Sequence, residues 1–188
     1  MPNTVDRILL LLGIFSYWCG QTWIVNTGSM TKDEIAIDAI HWLMLVGAAL
    51  MIPYAARLPR TGIAMLAAPL WIVGIVLIVG MCVIDFVFWS LPDPEFSRAV
   101  ADKLIASDPL WMPFITYAGM PFTIGLTLAG LAYARTEKMG AGLVAIGGIV
   151  IMAWGIGSNP YGYAVLWAGY AWIFWNEGRA AKTLTTED

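Results

Sequence analysis

Six apolar runs dominate the sequence, at 8–25, 35–56, 62–90, 110–134, 139–157 and 160–175. A helix rises about 1.5 Å per residue, so about 20 such residues cross the hydrocarbon core of a bilayer. No water pairs backbone amides inside that core, and only helices or closed barrels satisfy them internally. Barrel strands alternate polar with apolar residues, and none of the six runs does. The sequence therefore predicts an all-α, polytopic membrane protein. Its expected form is a six-transmembrane-helix bundle in a single domain over 1–188, with 176–188 as a polar cytoplasmic tail.

Composition agrees, with 60% hydrophobic and 12% charged residues. A net charge of -3 and the lack of a basic cluster exclude the electrostatic footprint of nucleic-acid binding. The first run follows a lone Arg7, as a signal peptide would. Tyr17, Trp18, Gln21 and Trp23 crowd its distal half, however, and no small-residue cleavage site follows, so a retained span is expected. Cys19 and Cys82 both sit in apolar runs rather than in a loop-borne disulfide framework. They read as small apolar residues, with a redox pair between the first and third helices as the alternative.

Run boundaries carry start and stop chemistry. Thr31-Lys32-Asp33-Glu34 reads as a capping box, Pro59 as a stop, and Asp108-Pro109 and Asn159-Pro160 as caps followed by proline. Orientation follows from Lys and Arg in the loops. Arg7, Arg57, Arg60, Arg135, Lys138, Arg179 and Lys182 fall on one side, and Lys32, Arg98 and Lys103 on the other. This asymmetry predicts that both termini are cytoplasmic, and the plasma (inner) membrane is the expected location. Between the third and fourth helices, Asp93-Pro94 starts a segment with Phe96, Val100, Leu104 and Ile105 on one face. That segment is expected to be a short amphipathic helix in the outer interface, either a lid or a plain connector.

Depth along the helices singles out the polar residues. At 1.5 Å per residue, Asp38, His41, Asp85 and Gln21 all fall roughly 5 to 9 Å below the outer ends of their helices. The inner halves of those helices read as Leu, Ile, Val, Ala and Gly. Asp38 and His41 share a face of the second helix at i and i+3, and Cys82 and Asp85 share one of the third. Ionisable groups at such depths are costly against lipid, so they are expected to face the bundle or a wet cavity. Thr116, Tyr117, Trp154, Ser158, Asn159, Tyr161 and Tyr163 can join them at similar height. Two readings fit: an outward-opening polar pocket walled by aromatics, or a hydrogen bond from His41 to Asp38 or Asp85 that only fastens helices.

Few chemistries have the residues they need. A one-nitrogen, two-carboxylate metal set from Asp38, His41 and Asp85 draws on separate helices and one histidine. Bis-histidine haem needs a second histidine, and a retinal Schiff base needs a lysine within a helix; neither is present. No G-x-S-x-G, phosphate loop or H-E-x-x-H occurs, so the motifs name no cofactor or reaction, and the balance leans away from an enzyme. Most of the ten tryptophans sit towards run ends, as interfacial belts require, with Trp42 and Trp154 expected to face the pocket. Pro53, Pro69, Pro113 and Pro121 fall inside runs and should kink them. Glycines at 119, 125 and 130 in the fourth run and at 140, 142, 147, 148, 155 and 157 in the fifth permit close helix contact, within the chain or in a homo-oligomer or larger membrane complex.

The function expected from the sequence is binding or transport of a small-molecule ligand. Asp38, His41, Asp85 and Gln21 would orient a polar or cationic group, and Trp42, Tyr117 and Trp154 would stack on it. An accessory subunit of a membrane complex is the alternative, and an intramembrane enzyme the third.

Overall fold

The structure, a computed structural model, describes residues 2–27, 34–60, 62–91 and 93–185. The chain is all helical, and no strand occurs among the described residues. Helices α1 (Thr4–Thr27), α2 (Glu34–Ala56) and α3 (Ala64–Ser90) come first, followed by the shorter α4 (Pro94–Ile105) and α5 (Asp108–Trp111). A π-helical turn (Met112–Thr116) leads into α6 (Gly119–Leu131), then α7 (Lys138–Trp154), a 3-10 turn (Ile156–Ser158) and α8 (Asn159–Thr185). Residues 31–33 of the expected capping box lie outside the described residues, as does the side chain of Asp38.

Three helices, α1, α2 and α3, contain stretches long and apolar enough to cross a membrane. The run at 110–134 is not one helix. It forms a pair, Asp108–Thr116 and Gly119–Leu131, bent by 41° and counting as a fourth span if taken together. Pro113 and Pro121 flank that break, which fits their inability to donate to the helical ladder. At the N-terminus of α4, the Asp93 side chain accepts from the Glu95 amide at 3.0 Å. Past the apolar run 160–175, α8 remains helical to Thr185.

Six helices form a closed ring in the order α1, α2, α3, α6, α7, α8 and back to α1. Three antiparallel pairs within it approach most closely. In α1–α2, Gly13 faces Gly47; in α3–α6, Gly74 lies on Phe122 and Gly125 on Trp71; in α7–α8, Gly147 faces Gly162 and Gly140 faces Gly169. Without a Cβ, backbone meets backbone there. Of the fourth- and fifth-run glycines, 125, 130, 140, 147 and 148 are closed against this chain, whereas 119, 142, 155 and 157 face open space.

Polar ties close the ring where α1 begins and α8 ends, the proximal end. Asp6, almost fully buried, pairs with Arg57, just past the end of α2. Arg7 meets Glu177 of α8 at 2.8 Å, and Asn176 donates to Glu137 at the start of α7 at 2.9 Å. Asn3 and Asp6 exchange backbone–side-chain hydrogen bonds, a reciprocal cap on α1. Above these ties the core is aromatic: Tyr54 stands 6.0 Å from Trp71 and 5.7 Å from Phe174, its hydroxyl 2.7 Å from that of Tyr133. Tyr170 donates to the Leu126 carbonyl at 2.7 Å. The proximal halves of α2 and α3 are thus not purely small and aliphatic, because Tyr54 and Trp71 fill the centre of the ring there. Facing outward are Ile8, Leu12, Val73, Val76, Ile146 and Ile149, the arrangement of a bundle solvated by lipid.

These contacts differ sharply in weight. A Cβ at Gly74 would overlap the Phe122 backbone, whereas one at Gly142 meets nothing. Gly74→Ala is expected to lower stability by about 1–3 kcal/mol through overpacking, and Gly142→Ala to stay within about 0.5 kcal/mol of the parent. Unfolding by denaturing detergent, followed by circular dichroism, measures both.

Candidate functional site

At the distal end the ring does not fill its centre. Two helix breaks lie there: the bent passage from the π-helical turn into α6, and the α7–α8 turn, where Gly155 adopts φ 72°. Positive φ suits glycine, which has no Cβ to clash. Between these breaks and the walls of α1, α3 and α8 lies a cavity of about 400 Å³.

Its polar lining comes from four elements. Tyr17 and Gln21, one turn apart on α1, face Asn159 and Tyr163, one turn apart on α8. Asn159 donates to the Gln21 side-chain oxygen at 2.7 Å, and Gln21 in turn reaches the Met44 sulfur at 3.5 Å. The Tyr17 and Tyr163 rings meet edge to face at 5.0 Å, with Phe122 4.9 Å from Tyr17 beneath them. Thr123 of α6 stands 3.4 Å from the Tyr163 hydroxyl, and Thr116 contributes from the π-helical turn. Methionine, isoleucine and two glycines, Gly119 and Gly155, supply the rest of the wall, and no charged side chain lines the cavity.

That lack of charge sets the chemistry. Amide, phenol and hydroxyl groups can donate to or accept from a ligand, but none can neutralise an ion stripped of water. The cavity fits an uncharged, partly apolar molecule with one or two hydrogen-bonding groups, as small-molecule sites generally do.

Of the residues expected from sequence, Gln21 lines this cavity. His41 and Asp85 meet each other instead, Nε2 to Oδ2 at 2.9 Å, across the α2–α3 seam. His41 is buried and Asp85 half-buried, and neither lines the cavity. Trp42 is exposed and rests 5.2 Å from Phe86, while Tyr117 and Trp154 are also exposed. The side chain of Asp38 lies outside the described residues. Thr116, Asn159 and Tyr163 do line the cavity.

Compared with family models, curated proteins and solved structures, the chain gives no match. Function therefore rests on the geometry. No group of three His, Cys, Asp or Glu side chains suited to a metal occurs among the described residues, and Cys19 and Cys82 are free thiols. Helix α4 adds nothing to the cavity, and Phe96 and Ile105 on its apolar face are exposed.

Tyr17 and Thr123 are the polar cavity residues that the sequence reading omitted. Tyr17 stands one turn before Gln21, and Thr123 and Thr127 are the hydroxyls of an otherwise apolar helix, so spacing could have flagged both. Interhelical hydrogen bonds in membranes average only about 0.6 kcal/mol. Gln21→Leu is accordingly expected to cost less than about 2 kcal/mol, leaving a folded protein by size-exclusion chromatography and circular dichroism.

Proposed function

We infer that the chain is a six-span protein of the plasma membrane, both ends cytoplasmic, that binds a small uncharged molecule in its distal cavity. The cavity's polar but uncharged lining carries this reading, since a cation would lose its hydration without gaining a counter-charge. Breaks in membrane helices at a polar cavity support it: irregular backbone is tolerated at such depth where protein or a cavity surrounds it, and broken helices recur at transporter sites. The π-helical turn beside the cavity fits as well, such turns being frequent at functional sites. Counting six spans takes the bent pair as one and adds α7 and α8, whose outward Ile146, Ile149 and Trp172 suit a lipid environment. In this reading Gln21, Asn159, Thr123 and Tyr163 hold the ligand, and His41 with Asp85 joins α2 to α3.

Purification in mild detergent followed by native mass spectrometry tests the site. A bound small molecule is expected on the parent and on Asp85→Asn, and its loss on Thr123→Phe, which fills the cavity. Retention by folded Thr123→Phe, or an empty parent bound to a stoichiometric protein partner, overturns the reading. Orientation is tested separately by an impermeant maleimide applied to intact cells, with Cys19 and Cys82 replaced by serine. Ala106→Cys is expected to label and Thr136→Cys to stay unlabelled; the reverse pattern inverts the topology.

A further inference from the structure

Resting on the binding site just described, the geometry points to a ligand that enters from the bilayer, through a gap between α6 and α7, and is therefore a membrane-dissolved amphiphile with an uncharged, hydrogen-bonding head.

The seam between these helices has a readable register. Near the proximal end Gly130 packs on Val144 and Thr127 on Gly148. Continued by one turn at a time, the antiparallel register sets Thr123 opposite Met152 and Met120 opposite Gly155. All four line the cavity, so at this level the cavity reaches the α6–α7 seam. In a ring, a cavity that reaches a seam between neighbours can open sideways.

Exposure runs in the same direction. Tyr17, Gln21, Thr123 and Tyr163, from α1, α6 and α8, are 1–6% exposed. Met120, Met152 and Ile156, on the α6–α7 side, are 54%, 48% and 61% exposed. The mouth is thus apolar and the interior polar.

Depth places that mouth within hydrocarbon. α6 has 13 residues and α7 has 17, or about 20 and 26 Å, both short of a core of about 30 Å. Arg135 and Lys138, in and beside the turn joining their proximal ends, mark the near boundary. Met120 and Met152 then stand about 17 and 21 Å above the proximal ends of their helices, still inside the core.

A rim of flexible methionines adapts to an alkyl chain. A head that both donates and accepts, such as an alcohol or amide, would find Thr123 and the Tyr163 hydroxyl inside. A zwitterionic or anionic headgroup would find no partner for its charge there.

The full-length protein in phosphatidylcholine liposomes is irradiated with either of two photoprobes that carry the same diazirine beside a hydroxyl. One is a long-chain alcohol that partitions into the bilayer, the other a short, water-soluble alcohol. Adducts are mapped by peptide mass spectrometry. The long-chain probe is expected to label 116–123 and 151–156 several-fold more than the outward-facing Val73 and Val76, and the short probe not to do so. Met152→Trp, which obstructs the gap, should abolish the enrichment, while Val76→Trp on the outer face of α3 should keep it. If the short probe labels the cavity as well as the long one, entry from the bilayer is overturned and the binding site stands. Enrichment undiminished in folded Met152→Trp and Met120→Trp overturns the route. No cavity labelling by either probe overturns the binding site itself. Should neither tryptophan variant fold, the ratio of the two probes on the parent protein decides.

Discussion

Where glycines of paired helices meet, backbone lies on backbone, and the rest of the arrangement follows from those contacts. Lipid tails are as apolar as leucine, so helices in a bilayer gain little by burying aliphatic side chains against one another. What favours association is dense packing, and a missing Cβ lets two helices approach closely enough to achieve it. Gly13 with Gly47, Gly74 and Gly125 with Phe122 and Trp71, and Gly147 with Gly162 tie six helices into three pairs. The seams between pairs rely on other means: His41 with Asp85, Tyr170 on the Leu126 carbonyl, Trp167 on the Leu11 carbonyl and Arg7 with Glu177.

Pairing also explains why the empty space lies at one end. Tyr54, Trp71, Tyr170 and Phe174 occupy the centre of the proximal half, large rings filling what glycine-paired helices leave open. Distally, α6 begins only at Gly119 and α7 stops at Trp154, so two of the six walls are incomplete. Gln21 and Asn159 hold α1 to α8 across the gap while leaving hydroxyls and phenols around a space of about 400 Å³.

How much of this could be read from the sequence depends on the physical signal. Hydrophobic length found the helices, because backbone satisfaction in lipid leaves no other regular structure for such runs. Pro113 and Pro121 signalled irregularity near 117, but not its 41° bend, beside which the π-helical turn rests on α3. Counting depth gathered Gln21, Asn159 and Tyr163 at one height, where they do meet. The same count grouped them with His41 and Asp85, since height carries no information about position around a ring. Asp6 precedes the first apolar run with nothing in the sequence to pair it, and only the course of α2 brings Arg57 to it.

Because Arg7 reaches Glu177, the first helix lies beside the last, and chain order runs once around the circumference. The six seams of the ring join consecutive elements of that circle, Tyr170 and Tyr163 of α8 also reach across it to α6, and the α1–α8 seam lacks a covalent link. Connectivity is thus decoupled from architecture: a circular permutant that bridged α8 to α1 and opened between α4 and α5 would preserve each helix–helix contact of the ring.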